Sequence, residues 1–250
     1  MPITCLPSAE RRTLLKAVAA TIAAPLLAAS LAVPAQSATA ATPARIGIVG
    51  SGHVGGTVGM LWVKAGHEVM FSSRHPEELK EMAARLGPRA HVGTVAEAIA
   101  FGPVVFIAVP YSALPGIGRD NAAALKGRIV IDASNPIVRR DGAVAEEAMA
   151  SGIGATSLKY LPGTRYVRTF NSVGTGTLER ESRRAGTPLG IPLAGDDAEA
   201  VKIASQLVRD AGFEPVVVPL SRAMDFAPGT ALFGKGLPVD ELRKQLRAGS

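Results

Sequence analysis

Cysteine is nearly missing from this chain of 250 residues: Cys5 is the only one. It stands ahead of a segment with the marks of an export signal, so the mature protein would carry no disulfide and no thiol chemistry. Histidine is scarce too, at four residues. His53, His67, His75 and His91 form no i,i+4 pair and no set with metal-ligand spacing, so no metal site is expected. All but His53 read as surface or locally hydrogen-bonded residues. No Gly-x-Ser-x-Gly elbow occurs, which removes the nucleophile of one large hydrolase class. No internal repeat is visible, and a net charge of +6 is too mild to imply nucleic acid by itself.

The amino terminus carries a targeting pattern. Arg11-Arg12 precede an alanine-rich apolar run that reaches Val33, followed by Ala38-Thr39-Ala40 as an A-x-A cleavage site. The paired arginines and the mild core, interrupted by Pro25, resemble a twin-arginine signal, with Glu10 and Leu14 in place of the usual Ser/Thr and Phe. We expect cleavage near Ala40 and a periplasmic or secreted mature protein; an uncleaved anchor or a start placed too far upstream are the competing readings. The membrane is then met only through the signal segment. Loss of three cations and one anion with that segment lowers the formal charge from +6 to +4, which suits an anionic cofactor. Twin-arginine export carries folded proteins, so a domain exported this way could take up a ligand beforehand. The chain divides into a signal peptide (1–40), a main domain (41–220) and a C-terminal extension (221–250).

Past the spacer Ala38–Ala44, apolar runs alternate with helical patterns. Strands are expected at Arg45–Val49, Glu68–Ser72, Val104–Val109, Arg128–Asp132, Tyr166–Asn171, Leu189–Ala194 and Phe213–Val218. Helices are expected at Val54–Ala65, Glu77–Leu86, Val95–Phe101, Ser112–Leu125, Ala143–Ser151 and Asp197–Ala211. Such alternation predicts an α/β fold of Rossmann type, a doubly wound and mostly parallel sheet with a small C-terminal extension.

The first of those strands leads straight into Gly50-Ser51-Gly52-His53-Val54-Gly55, and a helical pattern closed by Gly66 follows. A Gly-rich turn in that setting is a dinucleotide-binding turn. Gly50 permits the tight turn, Gly52 lets the backbone approach a pyrophosphate, and Gly55 lets helix and strand pack closely, with Gly59 one turn on extending the contact. The end of the second strand selects the dinucleotide. NAD-selective domains place a carboxylate there, roughly 20 residues past the glycines, for the ribose 2′-hydroxyl. Here the strand ends Ser72-Ser73-Arg74, a hydroxyl and a guanidinium suited to a 2′-phosphate, and NADP is expected over NAD. Lys80 is a weaker third contact.

Other polar residues divide between cap and site. Asp196-Asp197 precede a helical stretch and read as cap and first-turn acids. Asp132 and Asn135 follow a strand end, where ligands of such sheets bind; Asn135 is either a turn residue or a cofactor contact. The tail Pro238–Leu246 places Val239, Leu242 and Leu246 at helical spacing, read as a core or homodimer contact in preference to membrane binding.

The run Ile46–Gly55, with Ala65-Gly66-His67-Glu68-Val69, Ser72-Ser73-Arg74, Ala108-Val109-Pro110, Asp132-Ala133-Ser134-Asn135-Pro136, Phe170-Asn171-Ser172-Val173-Gly174 and Ala194-Gly195-Asp196-Asp197, resembles the F420-dependent NADP oxidoreductase family. The resemblance runs from about Arg45 to Leu246. It implies hydride transfer between NADPH and the deazaflavin F420, or a flavin as in related domains that feed metal-reducing membrane proteins. It implies that Ser51, Gly52, His53 and Val54 surround the pyrophosphate and that Ser73 and Arg74 hold the 2′-phosphate. Ala108, Val109 and Pro110 would line ribose and nicotinamide, and Asn171 and Val173 would face the nicotinamide and a planar small-molecule acceptor. Asn171 departs from the histidine that the archaeal reductases tend to carry. No residue is assigned a catalytic role, since hydride passing between two rings needs no protein nucleophile. The expected function is an NADP(H)-dependent oxidoreductase of the F420-reductase or flavin-reductase kind; a non-catalytic NADP-binding sensor or scaffold is the alternative.

Overall fold

Ile46–Val49 are all buried, as are Val104–Ile107 and Ile129–Asp132. Strands covered on both faces show this unbroken apolar character. The computed structural model describes residues 43–248; the signal segment and its cleavage site lie outside the described residues. In chain order it contains β1 (Arg45–Val49), α1 (His53–Ala65), β2 (Glu68–Ser72), a 3-10 turn (Pro76–Leu79) entering α2 (Lys80–Leu86), β3 (Ala90–Gly93), α3 (Val95–Phe101) and β4 (Val104–Ile107). A 3-10 turn (Tyr111–Ala113), α4 (Leu114–Asp120), α5 (Ala122–Leu125), β5 (Ile129–Asp132), α6 (Val138–Asp141), α7 (Ala143–Ser151), α8 (Ile153–Tyr160) and β6 (Arg165–Thr169) follow. The chain continues through α9 (Thr175–Glu181), β7 (Gly190–Ala194), α10 (Ala198–Asp210), β8 (Glu214–Val218), a 3-10 segment (Leu220–Phe226) and α11 (Val239–Ala248).

The strands form one sheet in the order β3-β2-β1-β4-β5-β6-β7-β8. Six run parallel, β3 through β6 in that order. β7 pairs antiparallel with β6, and β8 is parallel to β7. The mostly parallel Rossmann-type sheet expected from the sequence is the one observed. The reversal at β7 has a functional consequence: the carboxyl ends of β7 and β8 point to the sheet edge opposite the glycine turn. Asp196-Asp197 therefore lie away from that turn. Asp197 caps α10 by accepting from Ala200 N at 2.9 Å and pairs with Arg165, while Asp196 accepts from Leu220 N at 2.9 Å.

Two apolar cores flank the sheet. In one, Trp62 packs edge-on to Phe106 and Phe170 at 5.1 and 5.8 Å and donates to Leu207 O at 2.8 Å. The other includes Tyr111, Leu114 and the tail residues Val239, Leu242 and Leu246, each under 5% exposed. Of the two readings of the tail, core packing is the one the chain itself makes.

Several boundaries differ from expectation. β3 carries no apolar run because it is an edge strand, with all four residues half-buried. β4 stops at Ile107, because Ala108 and Val109 leave the sheet against Gly50, whose added Cβ would meet Ala108 O at 2.6 Å. β6 ends at Thr169 and not at Asn171: Phe170 adopts φ 61° and turns the chain out of the strand. α6, α8 and α9 were not expected; they are short and rich in small or polar residues, which weakens their periodicity.

Candidate functional site

The glycine turn crosses the carboxyl edge of the parallel strands. Gly50 (φ 93°) and Ser51 donate their backbone N–H groups to Ser72 O at 3.2 and 2.9 Å, tying the turn to the end of β2. Gly55 sits against the turn itself, since a Cβ there would stand 2.0 Å from Gly50 O. Gly52 is the N-cap of α1, with no side-chain cap and no acidic residue in the first turn. A Cβ on Gly52 would meet nothing within 4 Å. The free N–H groups of the first turn and the positive end of the helix dipole thus face open space, which suits an anion.

Two hollows flank this helix end. One, of about 430 Å³, is lined by Val49, Gly50, Ser73, Arg74, Val95, Val109, Pro110 and Ser112, among others. The other, about 350 Å³, is walled by His53, Val54, Ala108, Val109, Pro110, Ala133, Asn135, Ile137 and Arg140. Val109-Pro110 belong to both and form the sill between them. Ser51, Gly52 and His53 also border a third hollow, of about 460 Å³, beside Met60, Met82 and Glu179. At the mouth of the first, Ser73 Oγ accepts from His75 N at 3.0 Å, and Arg74 is exposed. Lys80 begins α2, exposed, and lines none of these hollows.

A buried carboxylate links the two walls. Asp141 accepts from Ser112 N and Oγ at 3.2 and 2.9 Å, from Ile137 N at 3.0 Å and from Arg140 Nη2 at 2.8 Å. Burial pushes its carboxyl up, but the hydrogen bonds from Arg140, Ile137 and Ser112 outweigh that and hold it at about 2. Ser112 belongs to the first hollow and Ile137 to the second, so Asp141 fixes one against the other.

Behind Asn135 lies a second polar group. Arg168 is 0% exposed; it pairs with Asp132 at 3.6 Å and donates to Ser134 O and to Asn135 Oδ1, the latter at 2.8 Å. Tyr166 donates to Asp132 at 2.6 Å, and burial followed by the Asp132 charge pushes its phenol well above the ordinary value. Asn171 donates through Nδ2 to Asn135 Oδ1 at 3.2 Å and to Phe226 O at 3.1 Å, and its main-chain oxygen accepts from Asn135 Nδ2 at 2.7 Å. Asn171 is 5% exposed and Val173, at 7%, packs in the apolar core. Neither lines the second hollow; Asn171 stands one layer back, in contact with the residue that does.

The glycine-turn residues, Ser73-Arg74, Ala108–Pro110 and Asn135 are thus gathered along one edge. Sequence reasoning missed Asp141, Ser112, Arg140, Tyr166 and Arg168. The signal for the last two was present: a tyrosine and an arginine inside a strand flanked by neighbours on both sides require buried partners. Among the histidines, His67 is buried, accepts from Ala44 N at 3.0 Å and meets Asp210 at 3.0 Å. Among the described residues no group of three His, Cys, Asp or Glu could hold a metal ion.

Residues 45–136 match the family model described as NADP oxidoreductase, coenzyme F420-dependent. The matched stretch includes the glycine turn, Ser73-Arg74, Ala108–Pro110 and Asn135. The chain is 29% identical over 176 residues to metalloreductase STEAP3 of Rattus norvegicus, a match covering 69% of this chain and 33% of that protein. It thus spans about a third of that relative's length. Among solved structures, a hypothetical protein from Sinorhizobium meliloti superimposes with a TM-score of 0.68 at 23% identity, over 78% of this chain and 95% of that one. A putative F420-dependent NADP reductase from Arthrobacter sp. FB24 gives 0.62 at 21% identity, over 78% and 99%. At these identities the two structures share the fold.

Proposed function

We propose that this protein is an NADP(H)-dependent oxidoreductase that passes a hydride between NADPH and a planar acceptor of the deazaflavin or flavin kind. The observation that carries the reading is the uncapped amino end of α1, set between two hollows, one ending at Ser73-Arg74 and the other walled by Asn135. The residues fit the cofactor by their own chemistry: open N–H groups for a pyrophosphate, a hydroxyl and an exposed guanidinium with no acid for a 2′-phosphate, and a half-buried carboxamide in the inner hollow. The family match over these positions and the likeness to a metalloreductase support the same assignment. When bound, NADPH supplies the hydride.

The chain's own part is binding and orientation. The first turn of α1 holds charge, Ser73 and Arg74 discriminate between dinucleotides, and Val109-Pro110 narrow the passage between the hollows. Asp141 keeps both walls at a fixed separation. Ile137, 39% exposed, leaves an apolar edge at the inner hollow, where a flat ring can lie with little loss of hydration.

The test is anaerobic mixing of purified protein and NADPH with F420, FMN, FAD and quinones while nicotinamide absorbance is followed. We expect NADPH to be consumed with at least one of the deazaflavin or flavin acceptors. Tight NADPH binding by calorimetry with no turnover on any of them would leave a binding module and refute the enzyme.

A further inference from the structure

We propose that Arg168 is a positioning residue that sets which end of the Asn135 carboxamide faces the inner hollow, so that this hollow offers a hydrogen-bond donor to the carboxamide oxygen of the nicotinamide. The inference rests on the dinucleotide reading above and adds to it the origin of the site's polarity.

A guanidinium can only donate and does not lose its proton in a protein. The Asn135 side-chain atom 2.8 Å from Arg168 Nη2 must therefore be the oxygen. A second donor, Asn171 Nδ2, reaches the same atom at 3.2 Å, and Asn171 is itself held in that orientation by the Phe226 carbonyl at 3.1 Å. The oxygen thus carries two donors on its protein side. At the other end, Asn135 Nδ2 spends one hydrogen on Asn171 O at 2.7 Å. Its second N–H is the one polar group of the carboxamide with no partner among the described residues, and Asn135 lines the hollow. Arg140 Nη2, donating to Asn135 O at 2.7 Å, holds the backbone of the same residue. An unrestrained asparagine can turn over and present oxygen or nitrogen at nearly equal cost; this one cannot without setting its own N–H groups against a buried cation.

A fully buried arginine balanced by Asp132 is costly, and an apolar side chain would fill the same space at no such expense. What the cation supplies, and an apolar residue would not, is a fixed direction for the amide. Proline at position 136 removes one main-chain donor next to Asn135, so the side chain is the nearer source of an N–H.

The test compares affinities of the full chain for three ligands: NADP⁺, its thionicotinamide analogue, in which sulfur replaces the carboxamide oxygen and accepts hydrogen bonds poorly, and adenosine 2′,5′-bisphosphate, which lacks the nicotinamide. The wild type is expected to favour NADP⁺ over the thio analogue by about tenfold. Arg168→Met is expected to bind the two dinucleotides alike while keeping its bisphosphate affinity within twofold. Where that variant fails to fold because Asp132 is left unpaired, Asp132→Asn/Arg168→Met removes both charges and carries the same expectation. A preference for NADP⁺ that survives in the variant overturns the proposal, as does an equal loss of affinity for the bisphosphate, which would mark Arg168 as structural only. A wild type that binds none of the three overturns the dinucleotide reading and this inference with it.

Discussion

Replacing Asp141 by asparagine separates the hydrogen bonds it can keep from those that need a carboxylate. Its side chain is 0% exposed. An asparagine oxygen can still accept from Ser112 N and Oγ, but its amide nitrogen then faces Ile137 N–H and Arg140, where the carboxylate accepted at 3.0 and 2.8 Å. Arg140 can turn outward, its side chain being 44% exposed. The Ile137 N–H cannot, and an unsatisfied donor costs about 1–3 kcal/mol. The pH arm gives an independent figure. The carboxyl is held at about 2 in the folded protein against about 4 in an unfolded chain, a gap worth about 2–3 kcal/mol. Because the folded value is depressed, that stabilisation is full above pH ~4 and disappears as pH falls through about 2, with roughly half remaining near pH 3. Urea unfolding followed by fluorescence of Trp62, the single tryptophan, should show Asp141→Asn less stable than wild type by about 2–3 kcal/mol at pH 7. The difference should shrink to roughly half at pH 3. A difference below about 0.5 kcal/mol at pH 7, within the range of an ordinary surface change, or one equal at both pH values, would refute the claim that this carboxylate ties the two walls together.

Arg74→Ala should erase most of the preference for NADPH over NADH, expected at tenfold or more in the wild type, about 1.4 kcal/mol per power of ten; calorimetry with both nucleotides reads it, and equal wild-type affinities would sink the assignment of the 2′-phosphate to Ser73-Arg74. Gly55→Ala and Gly52→Ala should part company: the first drives a Cβ to 2.0 Å from Gly50 O and should cost about 3 kcal/mol of stability. Gly52→Ala meets no atom within 4 Å, so its melting temperature should hold while NADPH affinity falls at least tenfold. Unchanged affinity in Gly52→Ala would place the pyrophosphate away from this turn.

The glycine turn and the end of β2 were legible because their signals are local. A tight turn at positive φ, a close approach of helix to turn, and a missing acid at the end of β2 are each properties of two to six consecutive residues, and the observed turn spans Gly50–Gly55 as read. The parallel core was legible for a related reason, since strands covered on both faces need apolar residues throughout. β3 escaped because an edge strand has a single partner and so needs no such run. The direction of β7 escaped because an apolar pattern is the same read along either direction. That reversal is what moves Asp196-Asp197 to the far edge and leaves Asp197 as a helix cap.

The inner hollow was harder to read for a reason inherent in buried polar groups. Asn135, Asn171, Arg168 and Asp132 are separated by up to 39 positions in the chain, and none is informative alone: each could end a turn or face water. Only the parallel pairing of β5 with β6, which sets Asp132 opposite Arg168, turns them into one hydrogen-bonded set. The family resemblance implied that Asn171 faces the nicotinamide, and the expected strand carried it there by running two residues past the end of β6. The left-handed turn at Phe170 withdraws it behind Asn135, where its amide acts on the neighbouring amide and not on the hollow. On the dinucleotide reading proposed above, specificity at the nicotinamide end would reside in Asn135 and in the residues that hold it, a chain of donors running from Arg168 outward. A substitution at Asn171 should act by loosening Asn135, and its effect on affinity should follow that of Arg168→Met.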